Sequence, residues 1–539
     1  MSALQDALAR VERSLRAGQV AEAMRTAHEA VGHGLVHPGL LTLAAQQEIE
    51  SGNLDHALAL AERACALAPR DGDALRTRAM ALGGLGRKLD ALAAYDQALA
   101  VAPNTASAHF DKGLIYLSLL EQTLARQAFE NALAIRPTHA GALAELATMA
   151  KTRGDAVGAR GLAERALRVR PDQVASRIVL AEVDLDAGDF DAAQKRLDAL
   201  LATPGLSAVN HSIVLGLLAD TLDGQGRQAE AFARYAQSNA LLKQRYHSTY
   251  EAPGVERAVT RAVRLASFLR DAPDARWRDC PAGSYRSPVD SHVFLVGFPR
   301  SGTTLLEQVI AGHGFVEAVE ERGCLTQAMT DFIAPLDGMD RLQALEGDDL
   351  ARHRDAYWEE ARAAGAKLDR VFVDKMPLNL LNLGLVAKLF PEAKVVLALR
   401  DPRDVVLSCF RRRFQILANM YELLDLDDAA RFYAAVMDVA EAARAKLSLP
   451  IFEQRYEMLV EDLEGQARRI CDFLRVPYDA RMLDFTATAQ ARAIATPSGK
   501  QVARGLYNGE GQWRAYRGQM ERVLPVLAPW VERYGYAQS

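Results

Sequence analysis

Five cysteines in 539 residues (Cys65, Cys280, Cys324, Cys409 and Cys471) stand far apart and form no C-x-x-C pair. A disulfide framework and a zinc ribbon are therefore excluded, and a reducing compartment is expected. The thiols read as small buried hydrophobes. No apolar run approaches the ~18–20 residues of a membrane span. The opening stretch, MSALQDALARVERSLR, alternates charged with apolar residues and lacks the apolar core of a signal peptide. A soluble, cytoplasmic protein is the expectation. Net charge is also scarce, at −5 for the whole chain. A surface-wide grip on nucleic acid is excluded, and any anion site must be local.

What is present comes in two patterns. Half the residues are hydrophobic, and the length calls for at least two domains. Up to about residue 245 the chain repeats. Pro69, Pro103, Pro137 and Pro171 recur at one fixed interval, and Gly18, Gly52, Gly86, Gly154 and Gly188 keep the same period, with Leu120 in the vacant slot. Ala23, Ala57, Ala91, Ala125, Ala159 and Ala193 follow those slots, and Gly226 and Ala231 mark a further, shifted unit. The interval is the tetratricopeptide period. Glycine ends the first helix of each pair, alanine lets two helices cross closely, and proline stops the second helix. About seven helix pairs stacked as a right-handed solenoid are expected over 1–245. The concave side suits either a peptide groove or a packing platform for the second domain. Tyr95, Phe110, Tyr116 and Phe129 read as core.

Residues 246–290 read as a helical connector followed by an irregular linker rich in Pro, Gly, Ser and Asp. From 291 to 539, strands alternate with helices, which predicts a parallel sheet with helices on its faces. Val293–Val296, Val371–Val373, Val395–Leu399 and Ile451–Tyr456 are the expected strands. Ligands bind at the carboxyl ends of such strands.

The first of these strands leads into GFPRSGTT. Gly297 and Gly302 have the spacing of a phosphate-binding loop, and the helix from Thr303 offers unpaired N–H groups and a positive dipole end. The Lys of a Walker loop is missing; Thr303 stands in its place. That Lys serves nucleoside triphosphates, so its absence argues against an ATPase or GTPase. Arg300 supplies the cation from inside the loop. In this half of the chain no H-x-x-x-H or E-x-x-H spacing suggests a metal.

PRSGTT after a buried strand resembles the 5′-phosphosulfate loop of sulfotransferases that use 3′-phosphoadenylyl sulfate. With Arg inside the loop it is more similar to tyrosylprotein sulfotransferases and to bacterial sulfotransferases carrying tetratricopeptide repeats than to cytosolic steroid or phenol sulfotransferases. The resemblance extends over nearly the whole chain and implies roles for other motifs. Of the candidate bases Glu317, Glu320 and Glu321, it selects Glu321, eight residues after His313, with His313 structural. Gly314 departs from the usual Pro. In VFVDKMPLN it makes Lys375 the cation for the bridging oxygen, with Asp374 expected to orient Lys375. In RDPRDVVLSCFRRRF it gives Arg400 and Ser408 the 3′-phosphate and Arg412 a further basic contact. Arg411 and Arg413 have no such role and read as a solvated basic face. Tyr456 would lie near the adenine or ribose, and Ser498, Gln501, Val502 and Tyr507 would close over the nucleotide. Residues 503–512 depart from the family pattern, so Lys500, Arg504 or Arg514 would replace a basic contact.

The sequence thus predicts an all-α tetratricopeptide solenoid followed by a P-loop-like α/β domain. The resemblance implies a metal-independent sulfotransferase. Arg300, Lys375 and Glu321 would be catalytic; Arg300, Ser301, Gly302, Thr303, Thr304, Arg400, Ser408, Arg412, Tyr456, Ser498, Gln501, Val502 and Tyr507 would hold the donor. The acceptor is a hydroxyl: a peptide tyrosine is suggested, and a glycan or small molecule stays open. Dimers occur among such relatives, so the resemblance admits a homodimer. Two rivals stand beside this reading: a repeat scaffold whose second domain binds nucleotide without turnover, and a magnesium-dependent phosphotransferase.

Overall fold

The structure, a computed structural model, describes residues 3–273, 277, 286–492, 499–502 and 505–537. The chain divides into two compact units, Met1–Asp189 and Phe190–Ser539.

The first unit is built of antiparallel helix pairs, beginning with Ala3–Arg16 and Val20–Gly32, then Pro38–Glu50 and Leu54–Leu67. The recurring Ala23, Ala57, Ala91, Ala125 and Ala159 all have zero exposure, because each sits where two helices cross and has no room for a larger side chain. The glycine slots have positive φ, from +72° at Gly18 to +81° at Gly52 and Gly154. Leu120 adopts +63° in the slot that lacks glycine and remains 66% exposed. The residues before the four prolines (Ala68, Ala102, Arg136 and Arg170) leave the helical region, as the proline ring demands. Tyr95 and Phe129 are buried; Phe110 is half-buried, its ring centroid 5.6 Å from that of Phe129.

The second unit holds a five-stranded parallel sheet of order β2-β3-β1-β4-β5. Its strands are β1 (Ser291–Gly297), β2 (Val316–Glu320), β3 (Val371–Lys375), β4 (Lys394–Leu399) and β5 (Ile451–Arg455). Strand β2 was not among the expected strands: its five residues carry only two apolar side chains beyond Ala318, enough for an edge strand and no more. Strand alternation gives the sheet two different faces. Val293, Leu295, Val371 and Val373 pack on the helices Thr303–Ala311 and Leu463–Leu474. Phe294 and Phe372 join an aromatic cluster with His292, Tyr357, Trp358 and Phe390.

The division of contacts does not coincide with the end of the repeats. Helices Ala208–Gly224 and Gln228–Tyr250 continue the helix-pair pattern yet belong to the second unit. Asn239 donates to the Phe410 carbonyl at 2.9 Å, Lys243 pairs with Asp428 at 2.7 Å, and the Phe232 and Phe410 rings stack at 5.1 Å. Arg411 pairs with Asp223, and Arg413 with Asp220 at 3.4 Å. Arg411 and Arg413 are therefore not a solvated face; they fasten the helix Ala208–Gly224 to the sheet-bearing unit. The connector helix Ala258–Asp271 packs along Leu426–Lys446, with Arg257 paired to Glu422. Most of the linker that follows lies outside the described residues.

Candidate functional site

Parallel pairing brings the carboxyl ends of β1, β3 and β4 to one edge, with Leu295 opposite Lys375 and Gly297 opposite Ala398. The anion loop leaves this edge at the centre of the sheet. Gly297 is required there: a Cβ would lie 2.7 Å from the Ala398 carbonyl oxygen. Gly302, at φ +94°, precedes the helix Thr303–Ala311, and a Cβ on it would lie 2.6 Å from the Tyr456 ring. Arg300 itself has φ +71°. The buried Cys409 thiol, on the helix Pro402–Arg411, meets the Pro299 carbonyl at 3.2 Å and steadies the loop.

A cleft opens beside the loop and is lined by Arg300, Gly302, Thr304, Leu305, Arg400, Tyr456, Gln501, Val502, Gly505 and Tyr507. Eight of these were singled out in the sequence. Arg400 lies 4.8 Å above the Tyr456 ring and donates through Nη2 to the Gly509 carbonyl at 2.5 Å. Among the described residues, its buried Nε has no hydrogen-bond partner, and neither has the buried Ser301 hydroxyl. Arg300 donates through Nε to the Ser408 hydroxyl at 3.0 Å. Ser408 therefore meets Arg300 in this structure, where the sequence paired it with Arg400. Burial, with Arg412 and Arg400 close by, pulls the Arg300 guanidinium down to about 10. Such crowding of cations is costly unless an anion joins them. Ser301, Thr303, Ser408 and Arg412 stand outside the lining, Arg412 on the exposed rim.

Asp404 pins the distal loop by accepting from the Gly511 and Trp513 N–H groups at 2.7 and 2.8 Å. Tyr456 bonds through its hydroxyl to the Tyr507 carbonyl. Ser498, Ala503 and Arg504 lie outside the described residues, and the Lys500 side chain is not described. Arg514 lies 5.6 Å from the Trp513 ring.

The second cluster forms at the ends of β2 and β3. Glu320 stands opposite Lys375 in register, and the Glu321 N–H donates to the Lys375 carbonyl at 2.8 Å. Glu321 bends out at φ +44°. Lys375 Nζ is 2.8 Å from Glu321, 3.1 Å from Glu307 and 3.8 Å from Glu320. Exposure rises from 0% at Lys375 and Glu307 to 18% at Glu320 and 40% at Glu321. Burial alone would pull the Lys375 ammonium down, but the carboxylates outweigh it and hold it above its ordinary value. Burial pushes the Glu320 carboxyl up.

The three candidate bases are thereby separated. Glu317 accepts from the Lys367 and Leu368 N–H groups and has a structural task. His313 bonds the Pro477 carbonyl at 2.8 Å and accepts from the Phe315 N–H, also structural. Asp374 does not orient Lys375. Alternation along β3 turns it to the aromatic face, where it accepts from the Tyr357 hydroxyl at 3.0 Å. Burial raises its carboxyl to about 7.

Glu307 and Arg492 escaped the sequence reading. Glu307 was legible as a carboxylate inside the apolar run of a buried helix. Arg492 carried no local signal; only packing brings it to Glu307, at 3.0 Å.

Residues 292–480 match the model of the Sulfotransferase family, and residues 150–209 match a Tetratricopeptide repeat model. An uncharacterized Aquifex aeolicus protein is 28% identical over 44% of this chain and 32% of its own length. Protein-tyrosine sulfotransferase A of Caenorhabditis elegans is 28% identical over 35% of this chain and 51% of its own. Protein-tyrosine sulfotransferase 1 of Danio rerio is 24% identical over 45% of this chain and 72% of its own. The chain spans about a third of the first relative and about half of the second. Residues 292–480 are thus a sulfotransferase-family domain, carried on a chain that also bears tetratricopeptide repeats.

Proposed function

We propose that the protein transfers the sulfuryl group of 3′-phosphoadenylyl sulfate to an acceptor hydroxyl, with tyrosine of a peptide or protein as the best-supported acceptor. One observation carries the reading: a single cleft brings together the anion loop, Arg300 and a buried Arg400 whose Nε has no partner among the described residues. These residues fit a donor with two separate anionic groups. Arg300 and the N–H groups at the start of the helix Thr303–Ala311 face the 5′-phosphosulfate. Arg400 takes the 3′-phosphate, with Ser408 and Arg412 nearby, and Tyr456, Gln501, Val502 and Tyr507 enclose the nucleoside; Ser498 is assigned the same task.

Glu321, the most exposed carboxylate of its cluster, accepts the proton of the acceptor hydroxyl. Lys375 and Arg300 take the charge that develops on the leaving oxygen, a term of about 2.7–4 kcal/mol for one such donor. Positioning supplies much of the rest. No residue here is assigned to a metal. The tyrosine acceptor is supported by the Arg300, Glu321 and Lys375 set and by the names of the nematode and zebrafish relatives. The tetratricopeptide segment suits capture of a peptide or protein partner. We keep 1–245 as repeats, 246–290 as connector and 291–539 as catalytic domain, in a cytoplasmic protein.

Calorimetric binding of adenosine 3′,5′-bisphosphate without magnesium tests the reading, on wild type and Arg400→Ala. Binding by wild type that weakens at least about a hundredfold in the variant is expected, from loss of a charge-assisted phosphate contact. No binding by wild type overturns it. Binding without turnover would favour the scaffold alternative, which the departures at 503–512 support.

A further inference from the structure

Glu307 is a fully buried carboxylate one turn inside the helix that the anion loop begins, yet it lines no part of the cleft. Taking a lone carboxylate out of water costs several kcal/mol. Two cations offset that cost here: Lys375 at 3.1 Å on one oxygen and Arg492 at 3.0 Å on the other. Arg492 also donates to the Ala318 carbonyl at 2.8 Å, so it ties the helix Phe485–Arg492 to β2 at the same point. The groups facing Lys375 come from two elements: Glu307 from the helix Thr303–Ala311, and Glu320 and Glu321 from the end of β2.

We propose that Glu307 is a positioning residue for sulfuryl transfer: it keeps the Lys375 ammonium charged and in place after Glu321 has been neutralised, and Arg492 clamps it for that task. The inference rests on the sulfotransferase reading and adds a part to the same site. In the transfer, the acceptor oxygen forms a bond to sulfur as the bond from sulfur to the bridging oxygen breaks. The electron pair of that bond stays on the leaving phosphate oxygen, and the acceptor proton passes to Glu321. At that moment the carboxylate 2.8 Å from Lys375 loses its charge. Without Glu307, the unexposed ammonium would keep only the more distant Glu320, at 3.8 Å, as counter-charge, and burial would then favour loss of its proton. The leaving oxygen would then lose its cation when it most needs one. Glu307 has no exposure of its own and receives no proton from the acceptor, and Arg492 holds its other oxygen at 3.0 Å. One carboxylate therefore cycles, and the other stays fixed.

The experiment follows turnover of 3′-phosphoadenylyl sulfate, by hydrolysis without acceptor and by transfer to a tyrosine peptide, across the alkaline pH range. It uses the full chain as wild type, Glu307→Gln and Arg492→Met, with binding of adenosine 3′,5′-bisphosphate measured beside it. Glu307→Gln should lower kcat about tenfold or more, leave donor KM and bisphosphate affinity within about threefold, and bring the alkaline limb to lower pH. Arg492→Met should move that limb the other way, because an unclamped Glu307 acts on Lys375 alone. Limbs that stay in place in both variants, beside an active wild type, overturn the proposal and leave the sulfotransferase reading standing. A wild type that binds the bisphosphate and never consumes the donor overturns both. Should Glu307→Gln fail to fold, Arg492→Met decides: a limb moved upward supports the proposal, and an unmoved one overturns it.

Discussion

The repeat unit and the sheet-bearing unit both send their chain through left-handed backbone, mostly at glycine, and they differ in which side chains they also hold there. In the repeats the positive-φ slots are turns between helices and hold glycine, with Leu120 the departure. In the second unit two of them hold Arg300 and Glu321. A side chain in this region costs about 1–2 kcal/mol that glycine avoids. In a turn of the solenoid the conformation serves only the chain reversal, so glycine is the cheapest solution. At the sheet edge it aims a cation and a carboxylate, and the cost is carried by the surrounding packing. Buried carboxylates differ in the same way. Burial pushes Glu48 upward, but bonds from Asn53 and His56 outweigh it and leave it below its ordinary value. Asp374 has a single tyrosine partner, and burial prevails.

The largest effect expected is at Arg300. Arg300→Gly relieves the backbone but removes the cation, so sulfuryl transfer should fall about a hundred- to a thousandfold while the melting temperature holds or rises. A variant with wild-type turnover would place Arg300 with the structural turns and break the comparison. Next comes pH. The folded Asp374 binds its proton up to about 7, well above an unfolded aspartate. The native state therefore holds an extra proton between about pH 4 and 7. Its contribution to stability is fully present below that window, is lost as pH rises through it, and is flat above. Asp374→Asn should lack this slope. Urea melts from about pH 5 to 8 should show wild type losing about 2–3 kcal/mol relative to the variant. The difference is read between the two proteins, because His292, held down to about 3 by burial, tilts both in the opposite sense at acidic pH. The smallest effect is at Leu120. Leu120→Gly should stabilise the repeat unit by about 1 kcal/mol, seen as a higher urea midpoint with an unchanged slope. A loss of stability would show that the exposed leucine packs to some purpose.

Much of this was legible because each signal is local. The period of glycine, alanine and proline fixes helix ends and crossings, since each residue acts on its own backbone or its nearest neighbour. The strand, glycine-bounded turn and helix around Arg300 are equally local, and Arg400, Gln501, Val502 and Tyr507 do line the cleft. Strand β2 was missed because an edge strand needs few apolar residues. Asp374 was misassigned because adjacency in sequence is not adjacency in a strand, where neighbours face opposite sides. Arg411 and Arg413 looked like surface charge because their partners, Asp223 and Asp220, lie some 190 residues earlier.

The repeat period, the anion loop and the strand ends that carry Lys375 and Arg400 follow from local sequence, because hydrophobic periodicity and backbone preference are properties of short segments. Tertiary structure alone decided which of three glutamates stands beside Lys375, that Glu307 and Arg492 complete the cluster, and that the last helix pair joins the sheet-bearing unit. Those outcomes depend on which segments the sheet order brings together, and on burial, which turns a charge from a surface feature into one that must find a partner.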